Sequence, residues 1–203
     1  MRRARLLTVT ATLFAGSVWA QDAPPGPIPG VEAPAVDRVA GLAAWQQIYD
    51  VFSHPRCANC HVEDDHPRWS GPHYGKTRIH AFHVTRGVDG SGFGNPGLRC
   101  TTCHFDSNSN ALHGPPGAPS WHLAPVEMVW FGKSSAFICA QIKDPDRNGG
   151  RTIAEVAEHV RDDALVAWGW SPGPGREPAP GSAEDTFAAI ERWNAAGTPC
   201  PTD

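Results

Sequence analysis

Two short motifs of the same composition carry the most chemically distinctive side chains in the chain. CANCH occupies residues 57–61 and CTTCH occupies residues 100–104. Two thiols separated by two residues serve three chemistries in proteins: a four-thiolate zinc site, a thiol–disulfide redox pair, and covalent attachment of haem. The residues concerned are Cys57, Cys60, His61, Cys100, Cys103 and His104.

The histidine that directly follows each cysteine pair distinguishes among these three chemistries. Neither a zinc site nor a redox pair requires it, and no βαβ pattern of the kind expected around a thioredoxin-like pair surrounds either motif. In c-type haem attachment the two thiols add to the haem vinyl groups, and the adjacent histidine becomes the proximal iron ligand. The motifs therefore predict two covalently bound haem c groups, with His61 and His104 as proximal ligands.

The two motifs resemble those of multihaem c-type cytochromes. A longer likeness covers most of residues 54–201, through the runs GLRCTTCH, PSWHLAPVEMVWFGKS, ICAQIKDPDRNGG and WGWSPGPGREPAPG. These runs resemble exported di-haem proteins that are labelled as a cytochrome subunit of isoquinoline 1-oxidoreductase. This resemblance implies an electron acceptor for a molybdenum hydroxylase.

The first 36 residues read as a leader and not as part of the fold. Residues 1–20 have three arginines, then an apolar stretch, then a small residue at Ala20, which is typical of a cleaved secretory signal peptide. Residues 21–36 are rich in proline and predict a flexible leader. The mature chain is therefore expected in the periplasm or secreted, with no stable membrane insertion, since the apolar stretch is short for a bilayer span.

The charge balance argues against nucleic acid as a partner. Cleavage removes three of the 17 basic residues and leaves all 21 acidic residues, so the net charge falls from −4 to about −7. Nucleic-acid binding needs a basic surface. An acidic exported protein with haem is expected to dock on a redox protein instead, either a dehydrogenase or another cytochrome.

Helical periodicity predicts a mainly α fold with long loops. We expect helices over residues 37–52, 134–143, 152–161 and 183–196, and a shorter helical segment over 125–130. Asp37, Ser134, Thr152 and Ser182 occupy the starts of the four longer helices, and Thr152 with Glu155 forms a capping box. Residues 62–99 and 105–122 are rich in turn signals and are predicted to be loops.

The motifs start 43 residues apart in the sequence, which is too little chain for two tandem cytochrome domains. Residues 37–203 are therefore predicted to form one compact cytochrome c-like domain that encloses both haems, with interleaved ligands. Glycine and proline number 21 and 20, and tryptophan eight. A chain with so many loops and aromatic side chains needs a large apolar cofactor to complete its core.

The sixth ligands of the two irons are not fixed by the motifs. Met128 is a candidate on the second haem, with His122 as its rival; a methionine is otherwise a flexible core residue. His80 lies far enough along the chain from His61 to reach over the first haem, and His83 is the nearby alternative. His122 would otherwise bond a haem propionate or a backbone carbonyl.

Two cysteines remain outside the motifs. Cys139 and Cys200 are predicted to form a disulfide, because the exported chain would fold in an oxidising compartment. This bond would tie the C-terminal tail to the predicted helix over 134–143.

Two functions follow from these features. The first is electron transfer between a dehydrogenase and a downstream acceptor, with both irons six-coordinate. The alternative is a di-haem enzyme, a peroxidase or small-molecule dehydrogenase, in which one iron keeps an open site. No phosphate loop, nucleophile triad or paired acid–base carboxylates accompany the motifs, which favours the carrier.

Overall fold

The computed structural model describes residues 37–70 and 77–202, which belong to one unit of the chain. Six α-helices and four short strands are connected by long loops. The helices are α1 (Arg38–Phe52), α2 (Pro55–Ala58), α3 (Ser135–Lys143), α4 (Ile153–Asp162), α5 (Ala164–Ala167) and α6 (Ala183–Ala195). The predicted signal peptide and proline-rich leader lie outside the described residues.

The first and last helices pack against each other at the centre of the fold. The side chain of Asp37 accepts a hydrogen bond from the amide of Ala40 and caps α1, as predicted. The rings of Trp45 in α1 and Trp193 in α6 lie 5.0 Å apart and are almost fully buried. The last helix therefore buries its apolar face against the first.

The two middle helices complete this core, and their start signals behave as predicted. Ser134 caps α3, and Thr152 forms a capping box with Glu155 at the start of α4. The face of α4 built from Val156, Ala157 and Val160 is buried in the same cluster as α1 and α6. This buried cluster fixes the frame on which the motifs sit.

The predicted Cys139–Cys200 disulfide is confirmed. It joins α3 to the C-terminal tail across 61 residues of chain. The indole nitrogen of Trp193 donates to the backbone carbonyl of Pro199 at 2.9 Å, and the side chain of Arg38 donates to that of Cys200 at 3.0 Å. The tail is thus held by α1, α3 and α6 together.

Two small hairpins lie where the sequence predicted only loops. β1 (Arg68–Trp69) pairs antiparallel with β2 (Arg78–Ile79), and β3 (Gly94–Asn95) pairs antiparallel with β4 (Leu98–Arg99). Two-residue strands give too short an alternation to be read from the sequence.

Two other elements differ from the predictions. The helical segment expected over 125–130 is wrong: it is a turn, with the amide of Met128 donating to the carbonyl of Pro125 at 3.0 Å. Val129 and Trp130 are buried, whereas Val126 is exposed, so the apolar residues do not form one helical face. The short helices α2 and α5 were not predicted, because four residues leave no periodicity to detect. Within the described residues, no helix is both long enough and apolar enough to cross a bilayer.

Candidate functional site

The first motif starts inside α2, directly after the core helix α1. His54 caps α2, because its Nδ1 accepts a hydrogen bond from the amide of Arg56 at 3.2 Å. The chain continues to turn through the motif: the amide of Cys60 donates to the carbonyl of Cys57 at 3.1 Å, and that of His61 donates to Ala58 at 3.2 Å. This turn brings the two thiols and the imidazole of one motif into one small region.

His61 is held in a single orientation by a backbone carbonyl and an aromatic stack. Its Nδ1 lies 3.0 Å from the carbonyl oxygen of Met128. Its ring lies 3.4 Å from that of Trp130 at an interplanar angle of 2°, and Trp130 stacks in turn on Phe52 at 4.3 Å. Because a carbonyl only accepts, Nδ1 carries the hydrogen, and the lone pair of Nε2 is left for a metal. This is the tautomer that an iron-ligating histidine requires.

The second motif repeats this arrangement on different elements. A 3₁₀ turn over Cys100–Thr102 follows β4, and the amide of His104 donates to the carbonyl of Cys100 at 3.0 Å. Nδ1 of His104 lies 2.8 Å from the carbonyl oxygen of Pro116. The His104 ring stacks on Trp121 with centroids 4.6 Å apart and an interplanar angle of 2°. Both motif histidines therefore present Nε2 as the free nitrogen.

The protonation states of the motif side chains follow from burial. Burial lowers the pKa of His61 to about 3, and it also lowers the pKa of His104. Burial raises the pKa of Cys57 to about 12 and that of Cys60 to about 11. Neutral imidazoles are the ligand form, whereas raised thiol pKa values are the opposite of what a redox-active pair needs, since thiolate is the nucleophile.

The four motif cysteines are not gathered into one group of metal ligands in the described part of the chain. All four are free thiols, and neither motif closes into a disulfide. Among residues 37–70 and 77–202, no group of three or more His, Cys, Asp or Glu side chains is arranged to hold a metal ion. The two motifs are therefore separate sites, each with its own histidine.

A tryptophan turn lies between the two motifs. A side-chain carbon built on Gly169 would lie 3.9 Å from the Cys57 sulfur. The neighbouring Trp168 ring makes an edge contact with Trp121 at 4.9 Å, and Trp121 stacks on His104. The 3₁₀ turn Trp168–Trp170 thus lies beside Cys57 of the first motif and reaches the second motif through the indole of Trp121.

The polar network around Asn108 fixes this turn against the second motif. The indole nitrogen of Trp168 donates to Oδ1 of Asn108 at 3.0 Å, and the Asn108 amide donates to the carbonyl of Ser171 at 2.8 Å. The amide of Gly117, next to Pro116, also donates to Asn108 at 3.1 Å. The loop that orients His104 is therefore tied to the same turn that lies beside Cys57.

The candidate distal histidine His80 lies beside the second motif. Its ring is 5.9 Å from that of His104, with an interplanar angle of 63°. The sequence analysis placed His80 over the first haem instead. His83, its alternative, is exposed and has a backbone φ of 52°.

The other two distal candidates have different surroundings. Met128 lies beside the first motif, where its carbonyl binds His61 on the side of the ring away from Nε2; a Cβ built on Gly149 would lie 3.0 Å from the Met128 methyl. His122 stacks on Phe93 at 4.6 Å, and its Nδ1 contacts the carbonyl of Ser120. Ligation of iron by Met128 or His122 stays a prediction.

Three features of the site have no counterpart in the sequence predictions. These are the carbonyls of Met128 and Pro116, and the tryptophans that stack on the motif histidines. Carbonyl acceptors leave no mark on side-chain type. The tryptophan content of the chain was a signal for the stacking partners, but it did not indicate which of the eight rings would be used.

Comparison of the chain with family models, with curated proteins and with solved structures finds no match.

Proposed function

We propose that the chain is an exported di-haem c-type cytochrome that transfers electrons between a dehydrogenase and a downstream acceptor. The observation that carries this proposal is the shared state of the two motif histidines. In both, Nδ1 donates to a backbone carbonyl and the ring stacks on a tryptophan, so that Nε2 is presented from a fixed imidazole. A structural zinc site or a redox pair gives no reason for this arrangement to occur twice.

The residues present fit two covalent haems. Cys57 and Cys60 would hold the first group through thioether bonds and His61 would bind its iron; Cys100, Cys103 and His104 would do the same for the second. Each haem, once bound, supplies one reversible electron. The backbone carbonyls increase the electron donation of the two imidazoles, since a hydrogen bond at Nδ1 makes Nε2 a stronger ligand.

Electron transfer accounts for the rest of the site better than catalysis does. The stacked rings and carbonyls hold each imidazole in one position, and a fixed ligand set lowers the structural change that accompanies each electron. The turn at Trp168–Trp170 keeps the two motifs near each other, as a short relay requires. The partner in this proposal is a redox protein, either a dehydrogenase such as a molybdenum hydroxylase or another cytochrome.

Visible absorption of the purified protein tests this function against a di-haem enzyme. The protein is made in a host that matures c-type cytochromes, and ferric and ferrous spectra are taken with and without cyanide or carbon monoxide. The carrier predicts two low-spin haems that bind neither ligand on the timescale of reduction. A high-spin band, or carbon monoxide bound at one haem per chain, would support the enzyme and contradict the carrier.

A further inference from the structure

His80 and His104 form an imidazole pair that the motif alone does not explain. Their ring centroids are 5.9 Å apart and their planes are inclined by 63°. Nδ1 of His104 is bound to the carbonyl of Pro116, and Nδ1 of His80 lies 2.8 Å from the carbonyl of Ala81. In both rings the hydrogen is therefore on Nδ1 and Nε2 is the nitrogen with a free lone pair.

We infer that His80 is the sixth ligand of the iron that His104 binds, which makes the second haem bis-histidine. This inference rests on the proposed function. Two imidazoles that bind one metal from opposite sides have centroids about 6 Å apart, because each metal–nitrogen bond is about 2 Å long. The observed separation matches that distance. The interplanar angle is compatible as well, since each ring can rotate about its own metal–nitrogen bond.

The position of His80 is set by contacts with the first motif region. The amide of His80 donates to the carbonyl of Pro67 at 2.9 Å, directly beyond the β1–β2 pair. The amide of Arg68 donates in turn to the carbonyl of Asn59, also at 2.9 Å. The first strand of the hairpin is therefore hydrogen-bonded to the middle residue of CANCH, and the second strand leads directly to His80, which lies beside CTTCH. This is how a ligand encoded between the motifs serves the second one.

The backbone after His80 is held in an unusual conformation. Phe82 and His83 have φ values of 65° and 52°, the left-handed region that costs energy for residues other than glycine. Such conformations occur where the surrounding structure or a ligand compensates for their cost. Here they turn the chain sharply after Ala81, the residue whose carbonyl holds Nδ1 of His80.

Large apolar side chains next to both histidines are exposed in the polypeptide. Ile79 and Phe82, on either side of His80, are 57% and 79% exposed, and Phe105, which follows His104, is 68% exposed. Exposed apolar residues that cluster at one site are typical of a binding surface. A porphyrin held between the two imidazoles is an apolar partner of the size these side chains need.

Replacement of His80 by alanine tests the inference in the holoprotein. The wild type is expected to carry two low-spin haems. H80A is expected to keep two covalent haems by the pyridine haemochrome assay, but to show one high-spin ferric haem by electron paramagnetic resonance and to bind one carbon monoxide per chain. Added imidazole should restore the low-spin spectrum. H83A is the matched control, three residues along the same segment, and should resemble the wild type.

The spectral change caused by H80A is assigned to one haem by repeating the substitution in a protein that lacks the second attachment site. In C100S/C103S protein, which would hold only the first haem, H80A should leave the spectrum unchanged. A new high-spin signal there would mean that His80 serves the first haem, and it would overturn the inference. So would an H80A spectrum with both haems low-spin, or the high-spin change appearing in H83A.

If H80A fails to retain the second haem, H80M tests the same ligand assignment in a protein that still offers the iron a sixth ligand. H80M offers the iron a sulfur ligand, and methionine ligation raises the potential relative to histidine. We expect two haems per chain, with the midpoint potential of one raised and that of the other unchanged. Two unchanged potentials would contradict the inference. By contrast, wild-type protein with fewer than two covalent haems would contradict the proposed function itself.

Discussion

The two motif regions use the same local geometry in opposite surroundings. Around CANCH, the stack of His61, Trp130 and Phe52 runs directly into the core of α1, α3 and α4, and Trp130 also donates to the buried side chain of Gln141 at 2.6 Å. Around CTTCH, Cys103 and Phe105 are exposed, and the His104 ring rests on the half-buried Trp121. The motif sets the turn and the tautomer, whereas the rest of the chain sets the burial.

On the proposed function, the difference in burial would give the two haems different roles. A buried haem exchanges electrons with a neighbour inside the protein, while one near the surface can exchange them with another molecule. The buried and almost completely enclosed Arg86 adds a positive charge near the first motif, since its Nη2 donates to the carbonyl of Val62 at 3.3 Å. Low polarity and a nearby cation both favour the reduced haem. On the proposed function, the second motif would therefore be the contact point for a redox partner.

Removal of each cysteine pair should produce the largest contrast. C57S/C60S and C100S/C103S should each lose one haem. The first variant should also lower the melting temperature by more than about 10 °C, which for a chain of this size corresponds to about 3 kcal/mol or more. Cys57 packs against the main core, whereas Cys103 does not. The decrease in melting temperature for C100S/C103S should be less than half that for C57S/C60S, as measured by calorimetry.

C139S/C200S serves as the control for the serine substitutions, because it removes two cysteines without touching a motif. It should keep both haems. Equal melting temperatures for the two motif variants would show that the regions do not differ in their coupling to the core.

The stacking tryptophans give a smaller contrast of the same kind. W130A should reduce the free energy of unfolding by about 3–5 kcal/mol, the usual loss for a buried tryptophan. W121A should cost about 1–2 kcal/mol, because its ring is only half-buried. Urea denaturation with an unchanged m-value measures both.

V39A is a suitable reference for W130A and W121A. The Val39 side chain is exposed on α1, so its truncation should reduce the free energy of unfolding only slightly. If W121A reduced the free energy of unfolding as much as W130A, the second motif would be packed into the core as firmly as the first. The proposed difference in burial between the two motif regions would then be wrong.

Acid titration gives the smallest and most specific contrast. Burial lowers the pKa of both motif histidines, so the folded state favours the neutral rings. The stability that depends on the neutral rings is fully present above the unfolded pKa of 6.5. It is lost as the pH falls toward the folded pKa, which is about 3 for His61. Iron at Nε2 competes with the proton and lowers both transitions further. The single-haem protein that keeps CANCH should retain its low-spin spectrum to a lower pH than the one that keeps CTTCH.

Soret absorption during the titration measures the pH at which each single-haem protein loses its low-spin spectrum. The same measurement after return to neutral pH shows whether the loss is reversible. Coincident transitions, or earlier loss of the CANCH haem, would contradict the assignment of the first motif to the more buried environment.

Local signals predicted much of the helical frame but not the assembly of the site. The caps at Asp37, Ser134 and Thr152 were readable because each has a side-chain oxygen at the helix start. The Cys139–Cys200 pairing was readable because only two cysteines lay outside the motifs. These inferences needed no knowledge of which loops meet.

The position of His80 needed long-range information. Chain length allowed it to reach the first motif, but pairing of β1 with β2 directs it to the second. The carbonyls of Met128 and Pro116 were likewise invisible, since any residue type supplies a carbonyl. The helix expected over 125–130 failed for a related reason: Trp130 is apolar because it packs in the core and stacks on His61, a long-range contact, and not because it belongs to a helical face.

Intact mass of the protein from a cytochrome-maturing host, followed by mass analysis of its proteolytic peptides, tests the central claim most directly. The account predicts two haem masses per chain, one on the peptide that contains Cys57 and Cys60 and one on the peptide that contains Cys100 and Cys103. A mass equal to that of the unmodified polypeptide, without a pyridine haemochrome signal, would contradict it.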